Sequence, residues 1–165
     1  MKATLRPARA EDQDFLFKLY ASTRAHEIAA FGWPEAQQEA FLRLQFTAQQ
    51  RGYESTYPQA EHQIVELDGM PIGRIMVHRD MVHREMVHRE KGFARLVDIS
   101  LLAEHCGHGI GSELMGALIR QCTGDGATLK LQVRQVNPAV RLYERLGFIR
   151  TSEDAVYIHM ERRPE

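Results

Sequence analysis

Cysteine is scarce in this chain. Only Cys106 and Cys122 occur in 165 residues, too few for a disulfide framework, so a reducing cytoplasm is the expected compartment. There is no surplus of positive charge either: 21 Lys and Arg stand against 22 Asp and Glu, a formal net charge of −1. No basic field therefore argues for nucleic acid or an anionic membrane surface. No apolar run approaches the ~20 residues of a membrane span. The opening Met1-Lys-Ala-Thr-Leu-Arg-Pro7 lacks an apolar core of signal-peptide length. What remains is the expectation of a single domain over residues 1–165, able to bury roughly two-thirds of its unfolded surface.

Within that length, strand and helix signals alternate. Lys2 to Arg6 reads as a short strand closed by Pro7. Asp12 to about Ala30 reads as a helix with Phe15, Leu16, Leu19 and Tyr20 on one stripe. Gly32-Trp-Pro34 breaks it, and Pro34 is expected to open a second helix ending near Gly52, with Tyr53 to Glu61 irregular. His62–Leu67 and Ile72–Val77 read as two strands around the hairpin dipeptide Asp68-Gly69. Ala94 to Leu102 is a mostly apolar strand, central in a sheet. Ile110, Leu114 and Leu118 form a helical row ended by Thr123-Gly-Asp-Gly126. Thr128 to Val133 alternates as a strand, Asn137-Pro138 opens a short helix that Gly147 closes, and Phe148–Thr151 and Tyr157–Glu161 finish as strands. Mixed elements in this order predict an α/β layered domain.

Met76 to Glu90 repeats Met-Val-His-Arg-Asp/Glu three times. A period of five suits neither element: on a strand each copy changes face, and on a helix the copies do not stack. The segment reads as a tandem duplication that enlarges a hairpin, an insertion that surface loops tolerate. Excising two of the copies is expected to leave a folded domain. The spacing of His78, His83 and His88 does not bring imidazoles together, so no metal is expected. The enlarged flap could pair two molecules through its strand edges, a route to a homodimer.

Between the central strand and the helix of Ile110 lies a turn in which Gly107, Gly109 and Gly111 alternate. Glycine lets a ligand approach the main chain, and a helix N-terminus presents unpaired N–H groups and a positive dipole end; together these bind phosphate. A dinucleotide fingerprint does not fit, because Ser112 or Leu114 stands where its third glycine belongs, and no Gly-Lys-Ser/Thr follows for a P-loop.

Cys106-Gly-His-Gly-Ile-Gly111, followed downstream by Asn137-Pro-Ala-Val-Arg-Leu-Tyr-Glu-Arg-Leu-Gly-Phe148, resembles the GNAT N-acetyltransferase superfamily. The resemblance implies a central mixed, mostly antiparallel sheet of about six to seven strands flanked by about four helices. It implies acetyl-CoA as co-substrate, with the main chain of Leu101 and Leu102 bonding the pantetheine arm. Gly107, His108, Gly109, Ile110, Gly111 and Ser112 would wrap the pyrophosphate, Asn137 would touch the pantetheine, and Tyr143 would protonate the departing thiolate. The acceptor would lie between the first two helices and the last hairpin, regions that offer Glu27, Phe31, Trp33, Tyr53, Tyr57, Glu153 and Asp154. Two departures stand out: Cys106 occupies a place where Arg or Gln is usual, and Asn137 is one residue nearer Tyr143 than is common.

The residue types suit that chemistry. A phenol can protonate a thiolate, and a main-chain N–H can hold an oxyanion. Asp98 is the candidate base for the amine, with Glu66 second. Each has a plain alternative: Tyr143 as core, Asp98 as a structural ion pair, Asn137 as a helix cap. A covalent mechanism through Cys106 lacks a partner base. The expected function is direct transfer of acetyl from acetyl-CoA to a primary amine, either a small molecule or a peptide N-terminus. The alternative is a catalytically silent acyl-CoA-binding regulatory module.

Overall fold

The computed structural model describes residues 2–80 and 92–165. Among the described residues, seven strands and four α-helices follow one another as β1 (Thr4–Pro7), α1 (Gln13–Ala29), α2 (Glu35–Thr56), β2 (Glu61–Leu67), β3 (Met70–Asp80), β4 (Phe93–Leu101), α3 (Ile110–Asp125), β5 (Thr128–Arg134), α4 (Ala139–Arg145), β6 (Ile149–Glu153) and β7 (Tyr157–Arg162). The strands bond in the order β1-β2-β3-β4-β5-β7-β6. The mixed sheet and four helices are those the sequence implies. The first copy of the five-residue repeat continues β3 to Asp80; the other copies, with His83 and His88, lie outside the described residues.

The chain divides into two compact units. The first comprises Met1–Met76 with Asp98–His108. Here β1 pairs antiparallel with β2, Thr4 opposite Glu66 and Pro7 opposite Gln63. Asp68 and Gly69 turn β2 into β3 with φ of 51° and 77°, the left-handed pair that a two-residue hairpin needs. The core gathers Leu16, Tyr20 and Ile28 of α1, Leu42 and Phe46 of α2, and Ile64 of β2. The ring of Phe46 lies 5.7 Å from those of both Phe17 and Tyr20. Leu16 and Leu19 are each 2% exposed, which stabilises the fold by roughly 1.5–3 kcal/mol per side chain. At the start of α1 the carboxylate of Asp12 accepts from both terminal nitrogens of Arg6, at 2.9 and 2.8 Å, and from Arg9 N–H at 2.7 Å.

The second unit comprises Val77–Val97 with Gly109–Glu165. Phe93 and Ala94 of β4 pair in parallel with Thr128 and Leu129 of β5, an arrangement that requires a crossover, here α3 packed on β5. β5 runs antiparallel to β7, with Leu131 opposite Met160. Leu129, Leu131 and Val133 are buried as the alternation predicts, as are Ile110, Leu114, Leu118 and Cys122 on one row of α3. β6 pairs antiparallel with β7, with an irregularity between Arg150 and Ser152.

Sequence and structure differ in α2. The helix passes through Gly52 and ends at Thr56 rather than near Gly52, so Tyr53 is helical. Glycine costs a helix interior about 1 kcal/mol, which the contacts of Tyr53 described below offset. At α4, the helix begins at Ala139; Asn137 still serves it, its Oδ1 accepting from Ala139 N–H at 2.9 Å.

Candidate active site

Strand β4 carries the first group of site residues. Asp98 accepts from Arg74 Nε and Nη2 at 3.1 and 2.7 Å on Oδ2, from the Tyr53 hydroxyl at 3.4 Å on the same oxygen, and from Ser100 Oγ at 2.8 Å on Oδ1. Arg74 is 4% exposed, and its Nη2 also donates to Gln49 Oε1 at 2.9 Å. Its guanidinium lies 5.6 Å from the centre of the Tyr53 ring. β3 and β4 approach closely here: a Cβ on Gly73 would sit 2.2 Å from Ser100 O, so only glycine fits beside Arg74. The second candidate base, Glu66, is held by Arg6 Nε at 3.2 Å.

Beyond Asp98 the chain leaves the strand through Leu101 and Leu102. Leu102 N–H donates to Ile72 O at 2.8 Å, so that donor is already used. The thiol of Cys106 turns back on the same strand end, with Sγ 3.7 Å from Leu101 O and 3.6 Å from Leu102 O. Gly107 and Gly109 follow with φ of 78° and 84°, conformations that L side chains rarely adopt. A Cβ on Gly107, Gly109 or Gly111 would meet nothing within 4 Å. The space beside this backbone is open.

Helix α3 begins there without a side-chain cap on Gly109. Its first ladder bond runs from Glu113 N–H to Gly109 O at 3.0 Å, which leaves the N–H groups of Ile110, Gly111 and Ser112 outside the helical ladder. An open turn with left-handed glycines at the head of a 16-residue helix has the form and the polarity of an anion cradle. His108 in the same turn is exposed.

In the second unit, Tyr143 of α4 is 8% exposed and meets Phe148 edge to face at 5.8 Å. Phe148 N–H returns to Tyr143 O at 3.0 Å, and Gly147 makes the reversal at φ 94°. Asp154 closes the β6–β7 turn by accepting from Val156 and Tyr157 N–H, both at 2.8 Å. Those two bonds hold its carboxyl below the usual range, and Glu153 is exposed at the end of β6.

The first unit also contains a cavity of about 310 Å³ between the last turns of α2 and strands β2 and β3, walled by Tyr53, Glu54, Tyr57, His62, Arg74 and Met76 among others. Tyr53 and Tyr57 are among the acceptor-wall residues expected from sequence. Phe31 and Trp33 stack on each other at 4.9 Å, and Glu27 pairs with Arg24 at 3.3 Å. Arg74 and His62 escaped the sequence reading, since neither belongs to a motif. Burial, reinforced by the charge of Arg74, pushes the His62 imidazole down to about 4, against the pull of Asp98 and Asp12. No cluster of three metal-ligating side chains occurs among the described residues. No described helix is long and apolar enough to cross a membrane.

The profile of the acetyltransferase (GNAT) family matches residues 21–148. No curated protein matches the chain. Among solved structures, the PaiA N-acetyltransferase of Thermoplasma acidophilum in complex with coenzyme A superposes with a TM-score of 0.68 at 18% identity, over 99% of each chain. An acetyltransferase from Thermus thermophilus gives 0.64 at 20% identity, over 99% of this chain and 97% of its own. The ribosomal-protein-S18-alanine N-acetyltransferase of Escherichia coli gives 0.60 at 20% identity, over 99% and 94%. At these identities the likeness is one of fold.

Proposed function

The chain belongs to the acetyltransferase (GNAT) family, and on that premise we propose that it transfers acetyl directly from acetyl-CoA to a primary amine. The observation that carries the proposal is the open turn at the head of α3, with Gly107 and Gly109 left-handed and the N–H groups of Ile110, Gly111 and Ser112 outside the helical ladder. These donors suit the pyrophosphate of acetyl-CoA, and a coenzyme A complex of a protein with the same fold agrees with that use. His108, exposed in the same turn, would border those phosphates. Leu101 and Leu102 would flank the pantetheine, although the N–H of Leu102 is given to Ile72 O and its carbonyl accepts from His105 N–H. Asn137, its Oδ1 given to Ala139, would offer its amide N–H₂.

The proton balance assigns the remaining roles. The acceptor arrives as an ammonium and must lose one proton before its nitrogen can attack the thioester carbonyl. The new C–N bond forms, the carbonyl oxygen gains charge, and a main-chain N–H can hold it. The C–S bond then breaks, Tyr143 O–H protonates the thiolate, and the nitrogen gives up its second proton to yield the amide. Asp98 is the assigned route for a proton from the amine. Its Oδ1, carrying the single hydroxyl donor of Ser100, is the oxygen left to receive it. Net, one ammonium and one thioester give one amide, one thiol and one released proton.

Cys106 favours a second reading. The family's usual cation or amide is missing there, and a module that binds acyl-CoA without turning it over would tolerate the loss. One experiment tests both readings: thiol release from acetyl-CoA over a panel of amines and peptide N-termini, beside thermal protection by acetyl-CoA. Amine-dependent release supports the transferase. Protection with no release by any acceptor supports the module, and neither signal overturns the coenzyme assignment.

A further inference from the structure

Arg74 is 4% exposed, yet part of its donor set is idle. Nε and Nη2 both donate to Asp98 Oδ2, at 3.1 and 2.7 Å, and Nη2 donates also to Gln49 Oε1 at 2.9 Å. Nη1 makes no hydrogen bond among the described residues and is not one of the polar atoms sealed inside the fold. A guanidinium is planar, with Nε and Nη2 along one edge and Nη1 on the other. Asp98 takes the first edge, and the N–H groups of Nη1 are left without an acceptor. Buried donors in that state are costly, and native structures seldom keep them with nothing to meet them. Arg74 is also a wall of the cavity of about 310 Å³ in the first unit, whereas Asp98 and Gln49 are not. Nη1 is therefore the polar end that Arg74 has to offer the cavity.

The charges around the cavity select the kind of acceptor. The positive charge of Arg74 is balanced by Asp98 at 2.7 Å. Glu54, exposed on the wall, has no ion pair among the described residues. The surroundings are thus net negative, and a carboxylate brought in would meet that field and lose its own hydration as well. An amide or ketone oxygen keeps the hydrogen bond from the charged guanidinium without either cost. Tyr53 and Tyr57 give aromatic rings to the wall, and Pro58 and Met76 give apolar surface, so the body behind that oxygen is apolar or aromatic. A volume near 310 Å³ lies at the low end for small-molecule sites and suits one ring with a short polar arm rather than a protein segment.

We propose that this cavity binds a small neutral molecule through an amide or ketone oxygen on Arg74 Nη1, with its aromatic or apolar body against Tyr53, Tyr57 and Met76. Asp98, Leu101 and Leu102 are not among the walls, so the site is separate from the residues assigned to acetyl transfer and stands independently of that assignment. The occupant meets the edge of the guanidinium that faces away from Asp98, so it completes the donor set and leaves the ion pair in place. It also bridges the tyrosines of α2 to Arg74 of β3, and a molecule that binds only the folded chain raises its melting temperature.

The test uses phenylacetamide and phenylacetate, which differ only in the polar head, titrated calorimetrically into the full chain at neutral pH without acetyl-CoA. The wild type is expected to bind the amide about tenfold more tightly than the anion, and the amide should raise the melting temperature. Arg74→Lys keeps a cation for Asp98 but has no Nη1, and should weaken the amide by about tenfold or more. Glu54→Gln removes the charge on the wall and should strengthen phenylacetate alone, which narrows the preference. Melting curves report whether each variant is folded. One readout needs no variant: the guanidinium nitrogen resonances of Arg74 in the wild type should shift on adding phenylacetamide. The proposal is overturned if phenylacetamide does not bind, if a folded Arg74→Lys binds it as the wild type does, or if the Arg74 resonances stay in place at saturation. Tighter binding of phenylacetate than of the amide, or an unchanged preference in Glu54→Gln, would overturn the neutral ligand class.

Discussion

Nη2 of Arg74 lies 2.7 Å from Oδ2 of Asp98, with side-chain exposures of 5% and 15%. Two opposite charges that close and that dry are an arrangement in which removing one partner strands the other. Asp98→Ala should therefore cost about 3–5 kcal/mol of stability, read as a fall in the urea midpoint at unchanged slope. Arg74→Met added to it should recover most of that loss, since an apolar pair leaves no stranded charge, while turnover stays abolished. Wild-type stability in Asp98→Ala would show that the pair holds nothing, and recovery of turnover in the double variant would remove Asp98 from the chemistry.

Tyr143 gives a cleaner separation of structure from chemistry. Its ring is buried against Phe148 at 5.8 Å, so phenylalanine keeps the packing and removes only the hydroxyl. With the phenol as proton donor to the thiolate, Tyr143→Phe should lower kcat by about 10²-fold or more and leave thermal protection by acetyl-CoA near wild type. Stopped-assay thiol release measures the first and melting curves the second. An unchanged kcat with a good acceptor would return Tyr143 to the core and nothing else.

The two glycines of the turn should respond in opposite ways. Gly109 has φ of 84° and an open surrounding, so Gly109→Ala meets no clash but forces a left-handed alanine at about 1–2 kcal/mol. Gly111 has no such backbone and lies in the first turn of α3, where alanine favours the helix by up to about 1 kcal/mol. Gly111→Ala should thus raise the melting temperature of the free protein while weakening acetyl-CoA, because its methyl occupies the space that a pyrophosphate would use. Gly111→Ala with unaltered acetyl-CoA affinity would move the phosphates away from this turn.

What could be read in the sequence was whatever is local. The alternation of Leu129, Leu131 and Val133, the Asp68-Gly69 hairpin and the glycines before α3 each carry their own geometry within a few residues. The far end of α2 was not legible, because Gly52 signals a stop. The counterweight is Tyr53, whose ring and hydroxyl meet Arg74 and Asp98 from 45 residues away along the chain in the case of Asp98. Asp98 was legible as a carboxylate on the strand leading to the turn, but its partner was not, since Arg74 precedes it by 24 residues with the repeated segment between them. The cavity was invisible for the same reason: its walls come from α2, β2 and β3, and no spacing rule joins them.

Two titrations should divide the acid limb of the stability curve. Burial first and Arg74 second push His62 from 6.5 down to about 4. As pH falls from about 6.5 to about 4, the unfolded chain therefore takes up a proton that the folded chain refuses, and stability drops across that window. Asp12 works below it. The hydrogen bond from Arg6, more than the opposing burial, lowers its carboxyl from 3.8 to about 2. Its contribution is whole above 3.8 and is lost as pH falls through about 2. Urea unfolding at a series of pH values should accordingly give a wild-type curve that declines in both windows. His62→Gln should flatten only the upper one, and Asp12→Asn, less stable at neutral pH because Arg6 loses its charged partner, should flatten only the lower. If His62→Gln retains the decline between about pH 6.5 and 4, the imidazole is not held neutral in the fold.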